Sequence, residues 1–176
     1  MGLEELRVDC AVKQKRGLHI IMASVIIWSA VLFVHLSSLP VLSKNLFTFF
    51  CTAPLLPISY FISKIIKVDF QNKSNPLTNL GVLFSVNQIV YLLIAMWVFS
   101  AVPEKMLMVL AIIFGAHLMP YGWLYKSKVY FVLSVLIPVC ALLVGLNYGP
   151  AILAAMMIVF EMAFCVGLMV ENKNLR

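Results

Sequence analysis

The chain alternates between long apolar runs and short polar or helix-breaking segments. Each apolar run is close to the roughly 20 residues that an α-helix needs to cross the hydrocarbon core of a bilayer. The six runs are approximately Leu18–Leu39, Leu46–Ile66, Leu80–Ser100, Lys105–Leu124, Val129–Leu146 and Pro150–Val170. They lack the alternation of a strand and are about twice as long as a membrane barrel strand. The pattern therefore predicts a bundle of six transmembrane helices with short loops.

Composition supports this prediction. Of the 176 residues, 63% are hydrophobic and 11% are charged, whereas soluble domains are about half apolar and about a quarter charged. This excludes a soluble globular domain, a disordered tail and a disulfide-rich secreted module. We therefore predict an all-α membrane protein in which residues 1–176 form one domain. Residues 1–17 would be a cytoplasmic or interfacial N-terminal segment.

The basic residues predict the orientation, because Lys and Arg are retained on the cytoplasmic side of a membrane. Only Lys44 and Lys105 of the 13 basic residues fall on the side that lacks the termini. The others are Arg7, Lys13, Lys15, Arg16, Lys64, Lys67, Lys73, Lys126, Lys128, Lys173 and Arg176. Both termini are therefore expected in the cytoplasm. The partners of this charge would be anionic lipid headgroups at that face, not nucleic acid.

Four polar side chains are expected near the middle of the bilayer. At about 1.5 Å of rise per residue, Glu161 in the sixth span and His117 in the fourth reach similar depths. Asn87 and Gln88 reach this depth in the third span. Polar groups inside a membrane cost free energy, so each requires an explanation. Their shared depth predicts a single interior cluster.

Glu161 is the strongest of these signals, because it is the one acidic residue deep in a span. We expect its carboxyl to pair with His117, to accept hydrogen bonds from Asn87 or Gln88, or to remain neutral. One interpretation is a group that handles protons or cations, or that anchors a ligand. The alternative is an interhelical hydrogen bond that holds the bundle together.

His117 precedes a proline that disturbs its helix. Pro120 has no N–H to donate to the carbonyl of Ala116, so that oxygen is left free beside the imidazole. Tyr121 follows one turn after His117. The segment predicts a polar notch for a ligand or a proton, with a kinked helix and a core histidine as the alternative.

Asn87 and Gln88 are adjacent, so they point about 100° apart on a helix. They are not expected to face the same partner helix. Gln88 lies in a stripe of mostly small residues, namely Gly81, Ser85, Leu92 and Ala95. This stripe predicts a packing face that Gln88 bridges, or a ligand contact through the same side chain.

The sequence leaves three functions open. Its four cysteines form no CxxC pair, and the phosphate-binding, zinc-protease and serine-hydrolase motifs are absent, so no cofactor or metal is expected. The first hypothesis is a protein that binds or transports a small solute or ion through Glu161, His117, Gln88, Asn87 and Tyr121. The second is a non-enzymatic interaction, immunity or regulatory protein, acting as a homo-oligomer or with a partner membrane protein. The third is an intramembrane lipid-modifying enzyme with Glu161 and His117 as acid and base.

Three segments carry a family resemblance: Lys67–Lys73, Val102–Met106 and Gly115–Pro120. With the chain length, they resemble a family of small, uncharacterised, six-span bacterial membrane proteins. The resemblance covers nearly the whole chain. It implies a multi-pass protein of the bacterial plasma membrane and carries no assigned activity.

Overall fold

The computed structural model describes residues 2–173 of the protein. This part of the chain forms nine α-helices and two short 3-10 segments, Lys15–Gly17 and Pro103–Lys105, and contains no β-strand. The helices are α1 (Leu3–Lys13), α2 (Leu18–Leu36), α3 (Val41–Thr52), α4 (Leu55–Ile65), α5 (Leu77–Ala101), α6 (Met106–Ala116), α7 (Met119–Leu124), α8 (Lys128–Asn147) and α9 (Pro150–Lys173). The all-α class predicted from the sequence is confirmed.

Six stretches are long and apolar enough to cross a membrane. They are Lys15–Leu36, Val41–Ile65, Leu77–Ala101, Pro103–Leu124, Lys128–Asn147 and Pro150–Lys173. The prediction of six helices long and apolar enough to cross a membrane is confirmed, and each of these stretches begins and ends within about five residues of the bounds expected from the sequence.

The largest difference is at the start of the second span, which begins at Val41 instead of Leu46. Lys44 and Asn45 were expected in the connection, but both lie within α3. Lys44 Nζ donates to the His35 carbonyl at 3.2 Å, and Asn45 Nδ2 donates to the Pro103 carbonyl at 2.8 Å. These neighbouring carbonyls satisfy the two polar side chains, so the helix can begin before them.

Prolines break two of the spans. The second span is interrupted before Pro54, between α3 and α4, and the fourth is interrupted at His117 and Leu118, just before Pro120. Both breaks follow from the missing proline N–H and from the clash of the ring with the preceding turn. By contrast, α8 continues through Pro138.

Four helices form the centre of the bundle. The most extensive packing is between α2 and α9 and between α6 and α8, and α8 also contacts α9. The α6–α8 contact is close, because a Cβ built on Gly115 would lie 2.6 Å from Pro138 Cδ and 2.7 Å from Ile137 Cγ2. The α4 and α5 helices lie at the periphery, and along the described chain they hardly contact each other.

The N-terminal segment and the end of α9 meet at the same end of the bundle. Arg16 is buried and donates through Nη1 to the Glu171 carbonyl and to Asn172 Oδ1, both at 3.0 Å. Lys15, Arg16 and Gly17 all have positive φ, and this turns the chain between α1 and α2. Because the number of spans is even, the N-terminal segment and the end of α9 must lie on the same side of the membrane. The cytoplasmic location of this end stays a prediction, and Arg176 lies outside the described residues.

Candidate functional site

Glu161 is fully buried between α9 and α2. Ser24 Oγ lies 2.6 Å from Glu161 Oε2, and it also lies 2.9 Å from the carbonyl oxygen of Ile21. Glu161 Oε1 has no hydrogen-bond partner among residues 2–173. The carboxyl therefore joins the two most extensively packed helices of the bundle.

None of the partners expected for Glu161 reaches it. Within the described chain, the carboxyl makes no hydrogen bond to His117, Asn87 or Gln88. Its partner is Ser24, a residue that sequence reasoning did not select. A serine inside an apolar helix gives little signal by itself, since most such hydroxyls bond to a carbonyl of their own helix.

A cavity of about 150 Å³ lies beside this pair, between α2, α4, α5, α7 and the start of α8. It is lined by Ile20, Ile21, Ser24, Leu55, Leu56, Ser85, Gln88, Ile89, Phe114, His117, Leu118, Tyr121, Tyr125 and Tyr130. The structure thus brings together three of the five predicted site residues: Gln88, His117 and Tyr121. Glu161 does not line the cavity, and neither does Asn87.

The hydrogen bonds of Tyr121 are satisfied on α5. Its hydroxyl donates to the Gly81 carbonyl at 2.9 Å and lies 2.6 Å from Ser85 Oγ. Ser85 Oγ also lies 3.2 Å from the Gly81 carbonyl oxygen, so the two hydroxyls share their two protons among three contacts. Tyr121 therefore fastens α7 to α5 and forms a wall of the cavity.

One of the two ring nitrogens of His117 is hydrogen-bonded. Its Nδ1 contacts the Phe114 carbonyl oxygen. A carbonyl can only accept, so Nδ1 carries the proton, and in a neutral ring Nε2 is then an acceptor. Nε2 has no hydrogen-bond partner in the described structure. The ring packs edge-on against Phe114 and Tyr121, with centroid distances of 5.5 and 6.1 Å.

Gln88 and Asn87 are separated by the rotation of α5. Gln88 is half-buried and lines the cavity, whereas Asn87 is exposed on the outside of the helix. Neither carboxamide hydrogen-bonds to another residue of the described chain. Gln88 therefore does not bridge two helices; it lines the cavity, and its amide has no partner in the described chain.

Two further tyrosines, absent from the sequence prediction, close one end of the cavity. Tyr125 donates to Gln14 Oε1 at 2.8 Å, and Tyr130 donates to the Arg16 carbonyl at 3.0 Å. Their ring centroids are 5.8 Å apart. Burial raises the pKa of Tyr125, which lies in the turn after α7. The positions of Tyr125 and Tyr130 in the sequence give no sign that the two residues belong to the site.

The cavity wall is largely apolar, and none of the residues that line it is acidic or carries a Lys or Arg side chain. Over residues 2–173, no group of three or more His, Cys, Asp or Glu side chains is placed to hold a metal ion. What the site offers is the free Gln88 carboxamide and the free His117 nitrogen. This arrangement can bind an uncharged molecule with one or two hydrogen-bonding groups.

Comparison with known proteins places the chain in a family. No curated protein and no solved structure matches it. A family model described as "Family of unknown function (DUF7010)" matches residues 3–171. Together with the six spans, this confirms the resemblance to uncharacterised multi-pass membrane proteins, while the bacterial plasma membrane stays a prediction. The chain therefore belongs to the DUF7010 family, a family of unknown function.

Proposed function

We propose that this protein binds a small, uncharged and largely apolar molecule inside the bilayer, in the cavity between α2, α4, α5, α7 and α8. The observation that carries the proposal is the unpartnered carboxamide of Gln88, a residue that lines an apolar cavity together with His117. A polar group in such surroundings costs free energy unless it forms a hydrogen bond. A ligand that bonds to Gln88 would remove this cost.

The neutral lining favours a neutral ligand. Moving an ion into an apolar site without a countercharge is strongly unfavourable. The one carboxyl nearby, Glu161, lies behind Ser24 and does not line the cavity. This argues against an ion as the bound species. It also argues against an acid–base pair of Glu161 and His117, because such a pair must reach one substrate atom.

The size and polarity of the cavity narrow the ligand class. A cavity of about 150 Å³ is similar to engineered apolar cavities that hold benzene. It would admit one ring or a short branched hydrocarbon segment. Since His117 Nε2 accepts and the Gln88 amide both donates and accepts, the bound group would be a hydroxyl or a hydroxyl with a carbonyl. Phenols and isoprenoid alcohols meet both conditions.

The gap between α4 and α5 supports access from the lipid phase. These two helices hardly contact each other, and each contributes cavity-lining residues that are also exposed. Leu56 on α4 is 62% exposed, and Ile89 on α5 is 63% exposed. An apolar ligand could therefore partition into the bilayer first and reach the cavity laterally.

The test is a thermal-unfolding screen of the protein in lipid nanodiscs. The probes are phenol, a short isoprenoid alcohol, and the chloride salts of Na⁺, K⁺ and Mg²⁺. We expect an increase in the wild-type unfolding midpoint with one of the neutral probes and none with the salts. The increase should be lost in Gln88→Leu, which keeps the side-chain volume and removes the amide.

Asn79→Leu is the matched control, because it removes an exposed amide from the first turn of the same helix. It should respond to the neutral probe like wild type. A midpoint that increases with the salts alone would overturn the proposal. So would an equal increase with the neutral probe in wild type and Gln88→Leu.

A further inference from the structure

Asn87 occupies an unusual position for a polar side chain. It is the eleventh residue of the 25-residue helix α5, near the middle of the span. Its side chain is exposed and forms no hydrogen bond within the described chain. By contrast, Ser24 and Ser134 lie deep in other spans and are buried, with hydrogen bonds to Glu161 and to the Phe131 carbonyl respectively. Hydrocarbon offers an exposed amide no partner, so this position is costly in a monomer.

The exposed face around Asn87 has the spacing of a coiled-coil seam. Apolar residues alternate three and four positions apart on both sides of it, namely Leu80, Leu83, Val90, Ile94 and Trp97. Leu83, Val90, Ile94 and Trp97 are between 50% and 66% exposed, whereas Leu80, in the first turn of the helix, is half-buried. In a seven-residue repeat labelled a to g, with its core residues at a and d, Asn87 occupies an a position. In parallel two-stranded coiled coils, a single Asn at an a position specifies the register and the number of strands.

The seam lies on the side of α5 that faces away from the bundle. A different side, about 100° around the helix from Asn87, carries the buried Ala95 and the cavity-lining Gln88. Of the six spans, α5 is also the least buried against the rest of the chain. Contact with another helix along the seam would therefore leave both the bundle and the cavity unchanged.

We propose that a second copy of this chain binds along this seam and forms a symmetric dimer through α5. Two copies inserted with the same topology can be related by a two-fold axis along the membrane normal. The two α5 helices then run parallel, and Asn87 meets Asn87 of the other copy at the same depth. A carboxamide carries both donors and an acceptor, so two identical side chains can bond to each other. An isologous interface requires such self-complementarity.

The chemistry favours a second copy over lipid. Acyl chains would cover Leu83, Val90 and Ile94 equally well, but they cannot bond to an amide. The alternating spacing of three and four residues is also the pattern of left-handed crossings near +20°, which are common between membrane helices. A copy of α5 supplies both the amide and the matching seam.

The first test measures energy transfer between donor- and acceptor-labelled copies in lipid vesicles as the protein-to-lipid ratio is varied. We expect energy transfer between wild-type copies to exceed the level that random proximity in the vesicle predicts. Asn87→Leu should raise the dissociation constant by about 3- to 30-fold, the effect of losing one interhelical hydrogen bond in a membrane. Asn87→Gln should retain most of the association, and Asn79→Leu should behave like wild type. Unfolding midpoints at high dilution check that all variants are folded.

The second test locates the interface by oxidative cross-linking of single added cysteines. Leu83→Cys and Ile94→Cys lie on the seam, whereas Val82→Cys and Met96→Cys are equally exposed on a different side of α5. We expect cross-linked dimers from the first pair above the wild-type background and none from the second pair. Equal cross-linking by both pairs, or energy transfer no greater than random proximity predicts, would overturn the proposal.

Discussion

The hydroxyl of Ser24 on α2 lies 2.6 Å from a carboxyl oxygen of Glu161 on α9. The same hydroxyl lies 2.9 Å from the Ile21 carbonyl oxygen, yet it carries only one proton. Both contacts can be hydrogen bonds if Glu161 is neutral, because its O–H then donates to Ser24, which donates to Ile21. The pair thus accommodates an acidic side chain in the centre of the bundle without a countercharge.

This arrangement predicts that Glu161→Gln is well tolerated. The glutamine amide keeps the shape of the side chain and donates to Ser24 in place of the carboxyl O–H. We expect the free energy of unfolding to change by less than about 1 kcal/mol, as for exchange of one neutral hydrogen bond by another. Unfolding by denaturant in detergent micelles measures the change.

Ser24→Ala should be more harmful than Glu161→Gln. It leaves the buried Glu161 carboxyl without its hydrogen-bond partner, and this costs about 1–3 kcal/mol. Ser29→Ala on the same helix is the control, since its hydroxyl bonds only to the Val25 carbonyl. If Glu161→Gln proved less stable than Ser24→Ala, the carboxyl would have to be charged.

Arg16 should be a major determinant of stability at the end of the bundle where the chain termini meet. Its buried guanidinium bonds to the carbonyls of Tyr125 and Glu171 and to Asn172, and Nε lies 3.5 Å from the Glu171 carboxylate. Arg16→Ala removes all of these contacts and leaves Glu171 Oε2 without its neighbouring cation, while Oε1 still accepts from the Lys128 and Val129 N–H groups. We expect a loss of about 3–5 kcal/mol, measured by denaturant unfolding. Exposed Lys73→Ala should change stability by less than about 0.5 kcal/mol.

The attachment of α1 should weaken in acid. Asp9 accepts hydrogen bonds from Lys13, Asn75 and Asn72, with Lys13 the strongest influence, and these bonds lower the pKa of its carboxyl below 3.8. A carboxyl with a lowered folded-state pKa stabilises the fold above its unfolded pKa, and this stabilisation is lost as pH falls through the folded pKa.

We therefore expect the unfolding midpoint to fall between about pH 5 and pH 3, the range that begins just above the unfolded pKa of an aspartate. Asp9→Asn should lower the midpoint at neutral pH and reduce this pH dependence. The measurement is a thermal melt at several pH values with both proteins. An identical pH dependence in wild type and Asp9→Asn would show that another group is responsible.

The close contact between α6 and α8 predicts a strong effect at one glycine. A methyl group at Gly115 would meet Pro138 Cδ at 2.6 Å and Ile137 Cγ2 at 2.7 Å, and neither atom belongs to a flexible side chain. Gly115→Ala should therefore cost about 1–3 kcal/mol, the usual range for overpacking a core. Gly149→Ala has open space around the added carbon and should be close to neutral. Thermal unfolding of the two variants makes the comparison.

The span pattern could be predicted from the sequence, because the length of an apolar run and the spacing of polar breaks depend only on local residues and on the thickness of the bilayer. The depths of Glu161 and His117 also follow from counting along a helix. The sequence likewise shows that adjacent Asn87 and Gln88 must point in different directions. These properties do not depend on which helices are neighbours.

The remaining properties depend on helix rotation and packing, which no local pattern specifies. Rotation turns Gln88 to the cavity and Asn87 to the outside, and packing of α9 on α2 brings Glu161 to Ser24 instead of His117. An apolar membrane helix has a weak amphipathic signal, because lipid and protein interior are similarly hydrophobic. Which side faces which neighbour is therefore decided by close contacts, such as Gly115 against Pro138, and these exist only in the assembled bundle.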